Sequence, residues 1–113
     1  MHEQSIVTFL LSTALEDAKK DNAHRIISIK LVVGELTGVE KDAVNFYFGF
    51  MAKGTIAHGA SLEFNYIKPQ LRCRDCDIIF PRNTLEFKCP KCNKKAIELV
   101  GGRELYIESM EII

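Results

Sequence analysis

Apolar positions recur with a helical period from Gln4 to about Lys20. Val7, Leu10, Leu11, Ala14 and Ala18 fall at the i, i+3, i+4, i+7, i+11 spacing of one helix face. Ile6, Phe9 and Leu15 widen that face, Glu16, Asp17, Lys19 and Lys20 fill the polar side, and Asp21-Asn22 ends the helix. From Arg25 to Val33 the period drops to two. Ile27, Ile29, Leu31 and Val33 are expected on one face of a strand, with Ser28 and Lys30 on the other and Gly34 closing it. A second helix is expected from about Glu40 to Ala52, with Ala43, Val44, Tyr47, Phe48 and Met51 facing inward. Leu62, Phe64 and Tyr66 then alternate as a second strand up to the Lys68-Pro69 break. After Gly101-Gly102, alternation resumes at Leu105 and Ile107 and slips near Ser109-Met110, as at a β-bulge. A strand without a neighbour leaves its backbone groups unpaired, so this last strand is expected to return to the first sheet.

Residues 70–100 break the pattern. They hold all four cysteines, two of the three prolines and seven of the 15 basic residues. The fold class expected is therefore α+β: a small mixed β-sheet with two helices, plus a four-cysteine zinc ribbon inserted before the last strand. The matching division is residues 1–69 with 101–113 as one domain and residues 70–100 as the ribbon.

Composition narrows the function classes. With 113 residues, 47% of them hydrophobic and 27% charged, the chain suits one small globular unit with an appendage. Its 15 basic and 15 acidic residues cancel, which argues against a nucleic-acid binder, a class that carries a basic face. No apolar run reaches the ~18 residues of a membrane span. The opening Met1-His2-Glu3 has no basic run, and Thr8, Ser12 and Thr13 interrupt the apolar stretch, so it does not read as a secretory signal. A cytoplasmic location follows as an expectation, and in that compartment thiols stay reduced.

Cys73-Arg74-Asp75-Cys76 and Cys89-Pro90-Lys91-Cys92 are separated by 12 residues. Two residues between thiolates let each pair form a tight knuckle, and two facing knuckles supply four sulfurs at ~2.3 Å from a tetrahedral Zn²⁺. The Asp77–Lys88 segment is long enough for a hairpin joining them. Four cysteines leave no open coordination position, so the zinc is expected to be structural, and a module this small should draw most of its folding free energy from it. Lys88, Lys91, Lys94 and Lys95, with Arg72, Arg74 and Arg82, read first as a solvated surface offsetting thiolate charge. The alternative is a docking patch for nucleic acid or an acidic protein.

His2, beside the amino terminus, is a second candidate. The Met1 amine, the His2 amide nitrogen and the His2 imidazole can together chelate one divalent ion through five- and six-membered rings. Nickel(II) and copper(II) favour such square-planar nitrogen donors. On chemistry alone the position is also compatible with an incidental surface histidine, and His24 and His58 read as exposed loop residues.

Together these features resemble the HypA family, nickel-insertion factors of hydrogenase maturation. The resemblance rests on Met1-His2-Glu3 opening an amphipathic helix, on Val33-Gly34-Glu35-Leu36-Thr37-Gly38-Val39 after the first strand, on the two Cys knuckles, and on the closing Glu104-Leu105-Tyr106-Ile107. It implies nickel (Ni²⁺) carried at His2, with the Met1 and Glu3 backbone nitrogens completing the site, and structural Zn²⁺ at Cys73, Cys76, Cys89 and Cys92. It also implies transfer to the large subunit of a [NiFe]-hydrogenase with a HypB-like GTPase as partner; some relatives serve urease. Glu40 is a looser candidate near the nickel. Monomer and homodimer both stay open. Changes at the zinc site are expected to reach the nickel site through Pro69 and Gly101-Gly102.

Two rival classes would leave different marks. A zinc-ribbon module binding nucleic acid or a protein predicts salt-sensitive contacts. An enzyme is disfavoured: there is no nucleophile triad, no open metal site, and Gly34–Gly38 lacks the Lys and Ser/Thr of a P-loop.

Overall fold

The computed structural model describes residues 3–82 and 88–113. Helix α1 (Glu3–Lys20) buries Ile6, Val7, Leu10, Leu11, Ala14 and Ala18. Glu3 in its first turn and Lys19 and Lys20 in its last oppose the helix dipole. Asn22, at φ 54°, takes the left-handed conformation that ends it. The Ala23 amide donates to the Ala18 carbonyl and the Asn22 amide to that of Lys19, closing a Schellman motif. Phe9 is 58% exposed, contrary to the sequence expectation. Two residues along a helix turn through about 200°, which carries Phe9 to the face opposite Val7 and Leu11.

Strand β1 (Ile26–Gly34) leads through a 3-10 turn (Glu35–Thr37) into helix α2 (Lys41–Met51), then strand β2 (Ser61–Ile67). β1 and β2 pair in parallel, which needs a crossover, and α2 supplies it. Strand β6 (Leu105–Ile112) pairs antiparallel with β1, giving the mixed order β2-β1-β6. The last strand thus returns to the first sheet. The core lies between this sheet and the helices, built from the α1 face, Ile26, Ile29, Leu31 and Val33 of β1, and Val44 and Phe48 of α2.

Two bulges shift the faces. An extra residue between Ile26 and Ser28 places Ile26, fully buried, in the core and leaves Ile27, expected there, only half-buried. In β6 the slip falls between Ile107 and Ser109, just before the expected position, and lets Leu105, Ile107, Met110 and Ile112 all pack on the core.

A second sheet has the antiparallel order β4-β3-β5, from β3 (Gln70–Cys73), β4 (Ile79–Pro81) and β5 (Ile97–Val100). β4, near the start of the Asp77–Lys88 segment in which a hairpin is expected, pairs back with β3, and the first Cys knuckle is the turn between them. Residues 83–87 of that segment lie outside the described residues. The radius of gyration is 17.9 Å, against about 13 Å for a compact chain of this length. The excess reflects two small sheets set along a 55 Å axis.

The sheets meet at a close backbone junction. A Cβ placed on Gly34 would lie 2.1 Å from the Gly102 carbonyl carbon, and one on Gly102 (φ 99°) 2.9 Å from Pro69 Cα. The Leu36 amide donates to the Gly102 carbonyl at 2.8 Å, and the Gly34 amide to that of Glu104 at 2.7 Å. The Glu104 carboxylate accepts from the Gly102 amide at 2.7 Å. Thr37 caps the turn, donating to the Gly34 carbonyl at 2.8 Å and accepting from the Val39 amide at 3.2 Å. The Gly-Glu-Leu-Thr-Gly-Val stretch is thus the seat on which the returning chain rests.

Candidate metal centre

Each cysteine pair folds by the same local rules. In the first, the Asp77 amide donates to the Cys73 carbonyl at 2.8 Å and the Cys76 amide to Cys73 Sγ at 3.4 Å. In the second, the Asn93 amide donates to the Cys89 carbonyl at 2.9 Å and the Lys91 amide to Cys89 Sγ at 3.4 Å. Asp77 (φ 59°) and Asn93 (φ 61°) stand four residues after the leading cysteine, in the left-handed conformation that Asp and Asn tolerate best among residues with a Cβ. Cys73 and Cys89 are fully buried; Cys76 and Cys92 are half-buried.

The four sulfurs lie within 4.8 Å of one another, with Cys73 and Cys92 Sγ 3.7 Å apart. A tetrahedron with ~2.3 Å bonds requires ~3.8 Å between sulfurs, so the cluster fits zinc. It is the only group of three or more metal-binding side chains among the described residues. The thiols are not equivalent. The Cys92 side chain, and after it burial, pushes Cys76 up to about 12. Burial also pushes Cys89 upward, but the backbone amides of Cys92 and Lys91 and the neighbouring thiols outweigh it and hold Cys89 at about 7.

Around the cluster lies an ionic frame that sequence inspection missed. Arg72 on β3 faces its cross-strand partner Glu98 on β5, and its Nε donates to Oε1 at 2.7 Å. Arg72 also pairs with Asp77, Arg74 reaches the other Glu98 oxygen at 3.6 Å, and Lys94 pairs with Asp75 at 3.5 Å. The Arg72 hydrogen bond and charge hold the Glu98 carboxyl below the ordinary carboxylate range. Three cations of the basic cluster are thus engaged by acids of the same module. No local motif signals the Arg72–Glu98 pair, which lies 26 residues apart in sequence.

Met1 and His2 lie outside the described residues, so the nickel assignment made from the sequence falls there. Glu3 is half-buried at the start of α1. Glu40 is exposed at the N-cap of α2. Burial, and then the Glu40 charge, pushes the Tyr66 phenol upward, while its hydroxyl donates to the Val39 carbonyl at 3.1 Å. His24 and His58 are exposed and line one shallow depression with Arg25.

Residues 1–112 match the family described as hydrogenase/urease nickel incorporation, metallochaperone, hypA. The chain belongs to the HypA family. A hydrogenase maturation factor HypA from Caldanaerobacter subterraneus subsp. tengcongensis is 37% identical over 113 residues, covering 99% of both chains. One from Dehalococcoides mccartyi (strain ATCC BAA-2266 / KCTC 15142 / 195) is 41% identical over 112 residues, covering 99% of this chain and 94% of the relative. The solution structure of a HypA protein superposes with a TM-score of 0.79 at 30% identity, covering all of this chain and 97% of the other. That of the Ni metallochaperone HypA from Helicobacter pylori gives 0.70 at 30% identity, covering all of this chain and 98% of the other. The HypA resemblance drawn from the sequence is confirmed over essentially the whole chain, as is the α+β fold with its cysteine cluster. No helix among the described residues is long and apolar enough to cross a membrane.

Proposed function

We propose that this HypA protein is a cytoplasmic nickel metallochaperone, not an enzyme, carrying Ni²⁺ at its N-terminus and delivering it during [NiFe]-hydrogenase maturation. Zn²⁺ is held by Cys73, Cys76, Cys89 and Cys92, where it supplies a tetrahedral crosslink between the two knuckles. The observation that carries the reading is the closed cluster itself. Four cysteines within mutual reach use every position of a tetrahedral site, so a metal that must be handed on needs a different, open site. His2, with the Met1 amine and the backbone nitrogens around Glu3, provides donors suited to square-planar nickel. Such a site discriminates by geometry, and because its amide must lose a proton, its affinity falls as pH drops.

Residues 70–100 act as a separate zinc domain, and residues 1–69 with 101–113 as the nickel domain. The partners that fit are a HypB-like GTPase and the large subunit of a [NiFe]-hydrogenase; the family description also includes urease as a client. The nucleic-acid alternative is disfavoured because Arg72, Arg74 and Lys94 are already engaged by Glu98, Asp77 and Asp75. Delivery is tested by mixing the nickel-loaded chain with metal-free hydrogenase large subunit and the GTPase, then separating them and assaying metal. Nickel on the large subunit, reduced by His2→Ala, is the expected result. Transfer no faster than from free Ni²⁺, and equal for the variant, contradicts it.

A further inference from the structure

At the start of β1, segments far apart in sequence are held together by their backbones. The Ile26 amide donates to the Ile56 carbonyl at 2.9 Å, and the His24 and Arg25 amides donate to the Ile113 main-chain oxygen at 2.6 and 3.1 Å. The loop after α2 is itself a fixed turn. Thr55 Oγ1 donates to the Ala52 carbonyl at 2.7 Å and accepts from the Ala57 amide at 3.1 Å. The His58 amide donates to the Thr55 carbonyl at 3.2 Å, and the fully buried Ala52 and Ala57 anchor the loop in the core.

This bracing shapes an open depression of about 500 Å³ lined by His24, Arg25, Gly54, Thr55, Ile56 and His58. Its side-chain chemistry is one-sided: a guanidinium and two imidazoles line it, and no carboxylate side chain does. None of the three has a side-chain hydrogen bond or ion-pair partner among the described residues, whereas Arg72 and Arg74 are both engaged by acids. Asp21, close to His24 in sequence, lines the groove between α1 and β6 instead. The Arg25 guanidinium crosses from β1 to the loop, where a Cβ built on Gly59 would lie 3.4 Å from Nη2. The Gly54 and Ile56 amides, in the wall of the depression, donate to no acceptor among the described residues.

A free guanidinium offers paired N–H donors that match an oxyanion, and imidazole and amide N–H groups add further donors. The same guanidinium repels a metal cation, so the two histidines do not read as a ligand pair. We propose that this depression is a binding site for a phosphate group, with Arg25 as its anchor and His24 and His58 as flanking donors. Its volume lies within the small-molecule range, leaving room for whatever carries the phosphate. All three side chains are exposed, so water and salt screen them and the expected Kd is about 1 mM at low ionic strength. The proposal is independent of the nickel assignment.

The test is an NMR titration of the zinc-loaded full chain with inorganic phosphate, with chloride holding ionic strength constant. The ring C–H signals of His24 and His58 and the Arg25 Nε–H signal should shift and saturate, while those of the cysteine module stay in place. Arg25→Gln should weaken binding about tenfold or more, and Arg25→Lys, which keeps the charge but loses the fork, should fall between. His58→Gln should weaken it several-fold. Each replaces an exposed side chain, so the remaining amide spectrum should be unchanged. Ribose 5-phosphate in place of inorganic phosphate distinguishes the source: equal affinity means the phosphate group alone is recognised, and tighter binding means its carrier contributes. Shifts that never saturate, or that Arg25→Gln leaves unchanged, overturn the proposal. So do imidazole signals that respond to added Zn²⁺ but not to phosphate, which would make the pair a cation site.

Discussion

The end of β1 and the chain returning from the cysteine module touch backbone to backbone, with a Gly34 Cβ placed only 2.1 Å from the Gly102 carbonyl carbon. No side chain can move aside to relieve that contact. Gly34 therefore sets the distance between the two sheets, and the Leu36–Gly102 and Gly34–Glu104 hydrogen bonds fix their register.

Gly34→Ala is expected to cost about 3 kcal/mol or more, at the top of the overpacking range, because the obstruction is main chain. Gly38 offers a contrast: its φ is 71° but the space around it is open among the described residues, so Gly38→Ala should cost only about 1–2 kcal/mol. Urea unfolding of both zinc-loaded variants checks this. Equal losses would mean that the junction yields.

Removing a buried ligand should melt one sheet and spare the other. Cys73→Ser is expected to lower zinc affinity by more than the roughly 100-fold typical of an outer-shell change. Amide resonances of residues 70–100 should then collapse, while those of α1 and the β2-β1-β6 sheet persist. Loss of signals throughout the chain would show that zinc supports the whole fold.

Glu98 links the module to pH. Its pKa is lowered on folding, first by the Arg72 hydrogen bond and then by the Arg72 charge. The pairing therefore contributes stability above the ordinary glutamate range, and this is lost as pH falls through the lowered value. A carboxyl-carbon NMR titration should place the Glu98 midpoint below that of a free glutamate, and Arg72→Gln should return it toward the ordinary value. A midpoint that Arg72→Gln does not move would assign the shift elsewhere.

Much of this was readable from residue order because local rules decided it. The period of 3.6 located α1, alternation located β1, and cysteine spacing foretold a cluster whose sulfurs the structure brings within 4.8 Å. Misreadings arose where tertiary structure intervenes. Ile26 replaces Ile27 in the core because of a bulge, a one-residue event that alternation cannot register. Phe9, whose spacing places it beside the inward face, points to the far side of α1. The Gly34–Gly102 contact and the Arg72–Glu98 pair join distant segments, so neither leaves a local trace.

The same junction would carry the communication expected between the cysteine cluster and the proposed N-terminal nickel site. If Pro69 and Gly101-Gly102 transmit the state of the cysteine module, removing zinc should change nickel affinity several-fold. Identical titrations of zinc-loaded and zinc-free protein would show the sites to be independent.

The most direct test of the metallochaperone account is a calorimetric titration of tag-free, zinc-loaded protein with Ni²⁺ beside its His2→Ala variant. The account predicts one tight nickel site that disappears in the variant while zinc content is unchanged. Equal, weak binding by both proteins would contradict it and leave the cysteine module as the chain's only specific metal centre.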